Sequence, residues 1–530
     1  MLKNLFTVGG WTMISRVLGL IRDQLLAILL GAGAAQDAYQ VALRLPNMFR
    51  RFFGEGAFNA AFIPLFTEEW EKKGEKEALA FASEALTTLL AFLVGITLLA
   101  EITMPWLVTA LAPGFLHGDG TRFQLAVQFS RITMPYMTLI CTAALIAGIL
   151  NAREKYAAAA IAYVSFNIIG ILAIILGAFL GKLYIPSSEI FEKEIFTAKI
   201  GAWGILISGF VQLLALFWAC KRAKLFFKKQ LPTFSYRIKK LSQRILPGLI
   251  GSGVTQLNLT IDTIIATLLP TGSVSWLYFA DRLTQLPLGI LGAALGTTLL
   301  PTFSKSIANQ KMEELVQQLS RAIELASYVI LPTTFGIIAI APLIISGLFG
   351  YGHFQAFDIL QTSKVLRVYA LGLPAFVILK AITPVFFAQG DTSTPVKAGF
   401  IAIIINLTAS ILFYHPLGLL APAIASDLAA YFNLFMLSII LYRKKILDLP
   451  SLIKREFKIL ILSLMTGALA FEIMHFFGEK IISFHMIPRL TLLFSVILIS
   501  ALFYGLSSWK LNLLPKELLS ILVRKTKHSS

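Results

Sequence analysis

The chain alternates long apolar stretches with short polar connections almost from its first residues to about residue 508. Typical stretches are LTTLLAFLVGITLLA at 86–100 and LTLLFSVILISALFYGLSS at 490–508. A helix needs roughly 20 predominantly apolar residues to cross the hydrocarbon core of a bilayer. The chain holds about fourteen such stretches, and the pattern therefore predicts an all-α polytopic membrane protein with about fourteen transmembrane helices.

Composition and charge agree with this prediction and add an orientation. The chain is 57% hydrophobic and only 14% charged, whereas a soluble chain carries about 25% charged residues. The net charge of +18 lies mostly in connections such as KRAKLFFKKQLPTFSYRIKKLSQR at 221–244. Basic connections mark the cytoplasmic side. The basic segments follow the sixth, twelfth and fourteenth expected spans, so we expect both termini in the cytoplasm.

An internal repeat relates the two halves of the chain. Uncommon residues of membrane helices recur at an offset of 239: Asp23 with Asp262, Pro135 with Pro374, and Asn167 with Asn406. The offset spans six expected helices, so the halves have the same orientation, which is typical of transporters that bind substrate between two lobes. We predict two parallel six-helix lobes, 1–225 and 226–445, followed by an accessory helix pair and a basic tail at 446–530.

Charged residues inside the first span are the strongest sign of chemistry. SRVLGLIRD at 15–23 places Arg16, Arg22 and Asp23 within an apolar run. A charge at the centre of a bilayer costs about 2.5–3.5 kcal/mol on insertion scales, so such residues are usually functional. A single internal salt bridge that holds the bundle together is the structural alternative.

Further arginines accompany the first three charges. The second span, expected at 37–66, adds Asp37, Asn47, Arg50 and Arg51, and also Arg44 and Glu55, which lies four residues after Arg51. The eighth span carries Asp281 and Arg282 within SVSWLYFADRLTQLP at 273–287. Arginine suits phosphate because its planar fork forms paired hydrogen bonds. We therefore predict an anion-binding cavity lined by Arg16, Arg22, Arg50, Arg51 and Arg282.

Asp262 in the seventh span and Asn406 in the eleventh are a weaker pair of candidates. Their oxygens suit an oxygen-rich cation site, and hydrogen bonding between helices explains them equally well. The six histidines show no metal-ligand spacing. The chain also lacks a P-loop, so we expect no nucleotide as an energy source, and no nucleic-acid recognition motif accompanies the basic segments.

With these residues in view, the chain resembles the MurJ (MviN) family of lipid II flippases, within the multidrug/oligosaccharidyl-lipid/polysaccharide exporter superfamily. The resemblance runs the whole length. Its most specific stretches are SRVLGLIRD, DAYQVALRLPNMFRRFFGEGAFNAAFIP (37–64), TGSVSWLYFADRL (271–283), LGTTLLPTFSKS (295–306), YGHFQAFD (351–358) and DTSTPVK (391–397).

The resemblance implies a flippase that carries lipid II, a polyprenyl-pyrophosphate-linked peptidoglycan precursor, to the outer leaflet of the bacterial inner membrane, with a role in cell-wall biogenesis and cell shape. It implies substrate-binding residues at Arg16, Arg22, Asp23, Asp37, Asn47, Arg50, Arg51, Ser275, Asp281 and Arg282. Some relatives carry a glutamate where this chain has Gln285. The family's sodium site falls on Asp262 and Asn406, with Ser410 in place of an expected aspartate.

Two other kinds of function remain open at this stage. One is a flippase for another polyprenyl-pyrophosphate-linked glycan, and the other is a membrane glycosyltransferase that uses lipid II. The longest connection expected on the outer side, GKLYIPSSEIFEKEIFTAK at 181–199, is short for a catalytic domain. We expect a transporter without an organic cofactor, acting as a monomer among membrane lipids, with sodium as the only candidate ion.

Overall fold

The chain is described here from a computed structural model that covers residues 2–54, 57–228, 230–477 and 485–515. These residues confirm the all-α polytopic fold, because they form seventeen α-helices and two short 3₁₀ turns, Pro113–Leu116 and Gly418–Leu420, with no strand among them. The α-helices are α1 (Leu2–Leu30), α2 (Ala34–Ala42), α3 (Arg44–Gly54), α4 (Ala57–Lys73), α5 (Glu75–Ile102), α6 (Met104–Leu111), α7 (Thr121–Ala152), α8 (Tyr156–Tyr184), α9 (Ile190–Arg222), α10 (Tyr236–Leu268), α11 (Ser273–Ala308), α12 (Met312–Leu348), α13 (Ala356–Ala388), α14 (Ser393–Leu417), α15 (Ala421–Arg443), α16 (Leu449–Phe477) and α17 (Met486–Lys510).

Nine stretches within the described ranges are long and apolar enough to cross a membrane, judged by length and composition. One of them, Ser393–Arg443, contains both α14 and α15. The other expected spans correspond to α1, to the broken segment α2–α4, to α10 and to α11. Three of these four, α1, the segment α2–α4 and α11, carry every predicted substrate-binding residue, and α10 carries Asp262.

Two expected spans are interrupted. The second was expected as one loosened helix at 37–66, and it consists of α2, α3 and α4, with Leu43 between the first two. The third breaks at Thr103, just before α6. Pro105 is the second residue of α6, where its missing N–H costs nothing because the first N–H groups of a helix have no partner within it.

Proline also bends α12. Ile340 has non-helical φ and ψ of −110° and 19°, two residues before Pro342. A proline inside a helix removes one backbone hydrogen bond and clashes with the preceding turn, which accounts for a kink at this position. The kink lies within a helix of 37 residues that carries the accessory pair.

The chain divides by contact into two compact units. Unit 1 is Met1–Ser275 with Gly352–Phe354, and unit 2 is Trp276–Tyr351 with Gln355–Ser530. These units are defined by contacts within the structure, whereas the lobes 1–225 and 226–445 are inferred from the sequence repeat. The lobes therefore stay a prediction. In unit 1, α7 is the central helix, because it contacts α2, α3, α4, α5 and α9 and buries Phe129, Met137 and Ile140 almost completely.

Unit 2 has its own apolar core. Phe303 of α11, Leu319 of α12, Val377 of α13 and Leu437 of α15 are all buried there. The accessory helices α16 and α17 both pack against α12.

Candidate functional site

The first candidate residues form an ion pair between chain neighbours on α1. Arg22 donates from Nη2 to Oδ1 of Asp23 at 2.9 Å and from Nε to the same oxygen at 3.3 Å. Both residues are buried, with 7% and 0% of their surface exposed. A buried guanidinium needs such a partner, because the charge is removed from water. The pair therefore holds the Arg22 side chain in one place within unit 1.

Helix α8 also contributes to the Arg22 environment. The guanidinium lies over the Phe166 ring, 5.1 Å from its centroid. A Cβ added at Gly170 would stand only 3.1 Å from Cδ of Arg22. Phe166 and Gly170 are four residues apart and therefore share a helix face. Neither residue was singled out from the sequence, although this spacing beside an arginine-bearing helix was the available signal.

Asn167 joins α8 to α1 at Ser15, two turns before Arg22. Its amide nitrogen donates to the carbonyl of Ser15 at 2.9 Å and to the hydroxyl of Ser15 at 3.2 Å. Arg16 follows directly in the chain, but it is exposed. It makes no hydrogen bond or ion pair with any residue in the described part of the chain. Buried Arg22 and exposed Arg16 thus lie two turns apart on a helix that α8 holds in position.

Asp37 lies at the start of α2 and acts as a cap for another helix. One of its oxygens accepts the Gly272 N–H at 2.7 Å, and the other accepts the N–H and the hydroxyl of Ser275 at 2.9 and 2.6 Å. Gly272 directly precedes α11 and Ser275 is its third residue. The backbone N–H groups at the start of a helix have no partner within the helix. A carboxylate suits that end of the helix dipole. Asp37 and Ser275, both predicted to bind substrate, therefore meet each other.

The remaining polar residues of the second expected span lie on α3. Asn47, Arg50 and Arg51 are all half-buried, and Nε of Arg50 lies 3.4 Å from Oδ1 of Asn47. Arg44 donates to the carbonyl of Leu259 on α10 and so joins two helices of unit 1. Glu55, the acid four residues after Arg51, lies outside the described residues.

Asp281 and Arg282 lie on α11, in the part that belongs to unit 2, and both are half-buried. The Gln285 side chain, one turn further on, donates from its amide nitrogen to Asp281. An ionised glutamate has no proton to donate in the same way. The glutamine amide therefore supports Asp281 in a way that an ionised glutamate at this position could not.

The candidate sodium ligands are divided between the units. Asp262 is half-buried on α10 in unit 1, whereas Asn406 and Ser410 are fully buried on α14 in unit 2. The Ser410 hydroxyl donates to Oδ1 of Asn406 at 3.2 Å. Across the described ranges, no group of three or more His, Cys, Asp or Glu side chains could hold a metal ion. The sodium site stays a prediction.

The fold matches solved membrane transporters. A structure of lipid II flippase MurJ in an inward closed conformation matches with a TM-score of 0.75 and 24% identity, over 95% of this chain and 99% of that chain. An inward-facing MATE multidrug-resistance transporter of the MOP superfamily matches with a TM-score of 0.67 and 16% identity, over 83% of this chain and 96% of that chain. The chain thus has the fold of the MOP class of polytopic helical transporters.

Sequence relatives narrow this class. A relative from Rhizobium tropici, described as a probable lipid II flippase MurJ, is 34% identical over 90% of this chain and 87% of its own length. A Burkholderia cenocepacia protein described as lipid II flippase MurJ is 32% identical over 82% of both chains. The profile of the family described as lipid II flippase MurJ matches residues 26–492. The chain belongs to the MurJ lipid II flippase family, and it is a transporter rather than an enzyme.

Proposed function

We propose that this chain moves lipid II from the cytoplasmic to the outer leaflet of the bacterial inner membrane by alternating access, and that its arginines hold the pyrophosphate. The observation that carries the proposal is the Arg22 environment on α1. Asp23, Phe166 and Gly170 fix one guanidinium inside a membrane helix, while Arg16 on the same helix is exposed and has no partner in the described chain. Fixed and adaptable arginines together suit a large anion.

Each arginine has a separate role in this proposal. Arg22 provides a guanidinium in a fixed position, because Asp23 already accepts two of its hydrogen bonds. Arg16 and Arg282, which are exposed and half-buried, provide direct bonds to phosphate oxygens. A hydrogen bond between charged groups contributes about 1.5–3 kcal/mol. Arg50 and Arg51 add further positive charge from α3.

The proposed orientation follows from the basic connections. With both termini in the cytoplasm, the connections after α9 and α15 face the anionic inner side of the membrane. The transporter acts as a monomer in this proposal. The energy comes from the membrane potential, and sodium at Asp262, Asn406 and Ser410 is optional.

The test uses cells depleted of their own flippase that carry this chain. The outer-leaflet fraction of lipid II is measured for the wild type, for Arg16→Gln and for Arg282→Gln. We expect both variants to accumulate in the membrane and to leave most lipid II on the inner side. Lys72→Gln is the matched control, since Lys72 is an exposed cation paired with Glu68, and it should behave like the wild type.

Two outcomes would contradict the proposal. Normal outer-leaflet lipid II with both arginine variants would remove the anion role of these side chains. Failure of the wild-type chain to expose lipid II, while it exposes another polyprenyl-pyrophosphate-linked glycan, would change the substrate.

A further inference from the structure

Unit 1 contains a groove that is separate from the helices that carry the predicted substrate-binding residues. It has a volume of about 520 Å³ and lies between α6, α7 and α9. Its walls include Pro105, Phe123, Ile132 and Trp203, and two cationic side chains, Arg131 and Lys199, line the same space. No predicted substrate-binding residue lines it.

The helix periodicity explains why these residues meet. Phe123, Val127 and Arg131 are spaced by four residues along α7, and Lys199 and Trp203 are spaced by four along α9. Residues four apart lie on one face of a helix. Each helix therefore presents one cation and one aromatic ring to the groove.

The apolar runs place the two cations at the same expected depth in the membrane. On α7, Arg131 is followed directly by the apolar run 132–150, and on α9, Lys199 is followed directly by the run 200–220. Helix α5, which runs the other way, ends its apolar run 86–100 immediately before Glu101. All three charges therefore mark one expected boundary of the hydrocarbon core, next to the headgroup region that holds the lipid phosphate groups.

Within the described part of the chain, the two cations of the groove are not balanced by an equal number of acids. Neither Arg131 nor Lys199 makes a hydrogen bond or ion pair with the residues that the structure describes. Glu101 lies close enough to Arg131 to attract it, but it is one carboxylate beside two cations, and it does not line the groove. The groove thus offers net positive charge above an apolar wall.

We propose that this groove binds an anionic phospholipid, with its phosphate on Arg131 and Lys199 and its acyl chain along Ile132 and Trp203. Charge complementarity selects the headgroup, because the groove has no acidic lining residue to pair with the ammonium of a zwitterionic lipid. Trp203, which is 46% exposed, is the residue type that prefers the membrane interface. With the orientation proposed above, the lipid comes from the outer leaflet.

The test is a titration of the purified, delipidated full-length protein with phosphatidylglycerol, followed by native mass spectrometry. We expect the double variant Arg131→Gln/Lys199→Gln to bind this lipid about tenfold more weakly than the wild type. The matched control is Lys72→Gln/Lys73→Gln, which removes two exposed cations that are paired with Glu68 and Glu69. We expect the control to stay within about twofold of the wild type.

Further arms test the lipid and the fold. Phosphatidylcholine should bind weakly to all three proteins, and inorganic phosphate should not displace phosphatidylglycerol. Trp203→Ala should weaken lipid binding while both cations remain. Equal lipid binding by the groove variant and the control, equal binding of the two lipids, or displacement by phosphate would each overturn the proposal. Helical content and thermal midpoints confirm that each variant is folded.

The leaflet rests on the proposed orientation and is tested separately. The variant Asp119→Cys, in the connection before α7, should react with an impermeant thiol reagent added outside the cell. The native Cys141 and Cys220 are buried, so they contribute little background. Labelling only from the inside would place the bound lipid in the inner leaflet. A wild-type chain that binds phosphatidylglycerol but does not flip lipid II would refute only the flippase proposal.

Discussion

The two halves of the predicted repeat carry different residues at equivalent positions. At the offset of 239, Arg22, Phe166 and Gly170 of the first repeat correspond to Ile261, Ile405 and Ala409 of the second. Both repeats keep the aspartate and the buried asparagine, at Asp23 and Asn167 and at Asp262 and Asn406. The shared residues thus belong to the common helix framework, whereas the arginine and the space that admits it belong to one repeat.

A second position shows the same asymmetry. Asp37 accepts hydrogen bonds from the start of α11, whereas Trp276, its counterpart at the same offset, donates from Nε1 to Asp358 at 2.9 Å. One repeat therefore uses a buried carboxylate where the other uses an indole. The comparison teaches that the enclosed Arg22 and the Asp37 cap lie in one half of the predicted repeat and lack counterparts in the other, and it ranks four experiments.

Arg22→Ala should have the largest effect. It leaves the fully buried Asp23 without its neighbour, and removing one partner of a buried ion pair costs about 3–5 kcal/mol. We expect loss of flipping and a lower thermal midpoint in detergent, and only partial rescue by Arg22→Lys. Asp262→Asn, the change in the second repeat where no arginine precedes the aspartate, should keep the midpoint near that of the wild type. Equal loss in both variants would show that the two repeats carry equivalent pairs.

Asp37→Asn should have the next largest effect. Asparagine keeps one acceptor oxygen, so one N–H at the start of α11 loses its partner, at a cost of about 1–3 kcal/mol. The thermal midpoint should fall, and Ser275→Ala should lower it less, because Asp37 would still accept both backbone N–H groups. Asp119→Asn is the matched control, since Asp119 accepts the Thr121 N–H at 3.0 Å in an exposed connection. A thermal midpoint as high as that of the control would show that Asp37 does not stabilise the start of α11.

The energy source for flipping tests the second repeat, which carries the candidate sodium ligand Asp262. Moving one charge through 100 mV involves about 2.3 kcal/mol, and an anionic headgroup moves downhill when it leaves an inside-negative cell. Collapse of the potential at constant sodium should stop flipping in proteoliposomes. Removal of sodium at constant potential, or Asp262→Asn, should slow it by less than about twofold. If sodium removal stops flipping while the potential persists, Asp262 belongs to a coupling site.

Gly170→Ala should have the smallest measurable effect. The new methyl group would stand 3.1 Å from Cδ of Arg22, so the arginine stem must shift by a few tenths of an ångström. We expect a moderate fall in the flipping rate with little change in the amount of folded protein. The reciprocal change in the second repeat, Ala409→Gly, should leave the rate unaltered because no arginine lies at the equivalent place. An unaltered rate in both variants would mean that the position of Arg22 tolerates this shift.

The apolar pattern predicted much of the fold, because a membrane span is a local property of about 20 residues. The break between α5 and α6 was missed, although Pro105 marks it. The cap at Asp37 could not be found from the sequence, since its partners follow it by about 235 residues. The predicted arginines were found from their charge alone. Their different settings, exposed for Arg16 and enclosed for Arg22, depend on which face of α1 meets α8.

The pairing of Arg22 with its own neighbour also matters while the chain is being made. Phe166 and Gly170 follow Arg22 by about 140 residues, so at 5–20 residues per second the ribosome needs roughly 7–30 s to supply the surroundings of this arginine. During that interval α1 must stay in the bilayer with its charges. Because Asp23 is already present and accepts two hydrogen bonds, the helix carries its own neutralising partner from the moment of insertion. An acid supplied by a later helix would leave the nascent segment charged, at the stage when it is most easily lost from the membrane.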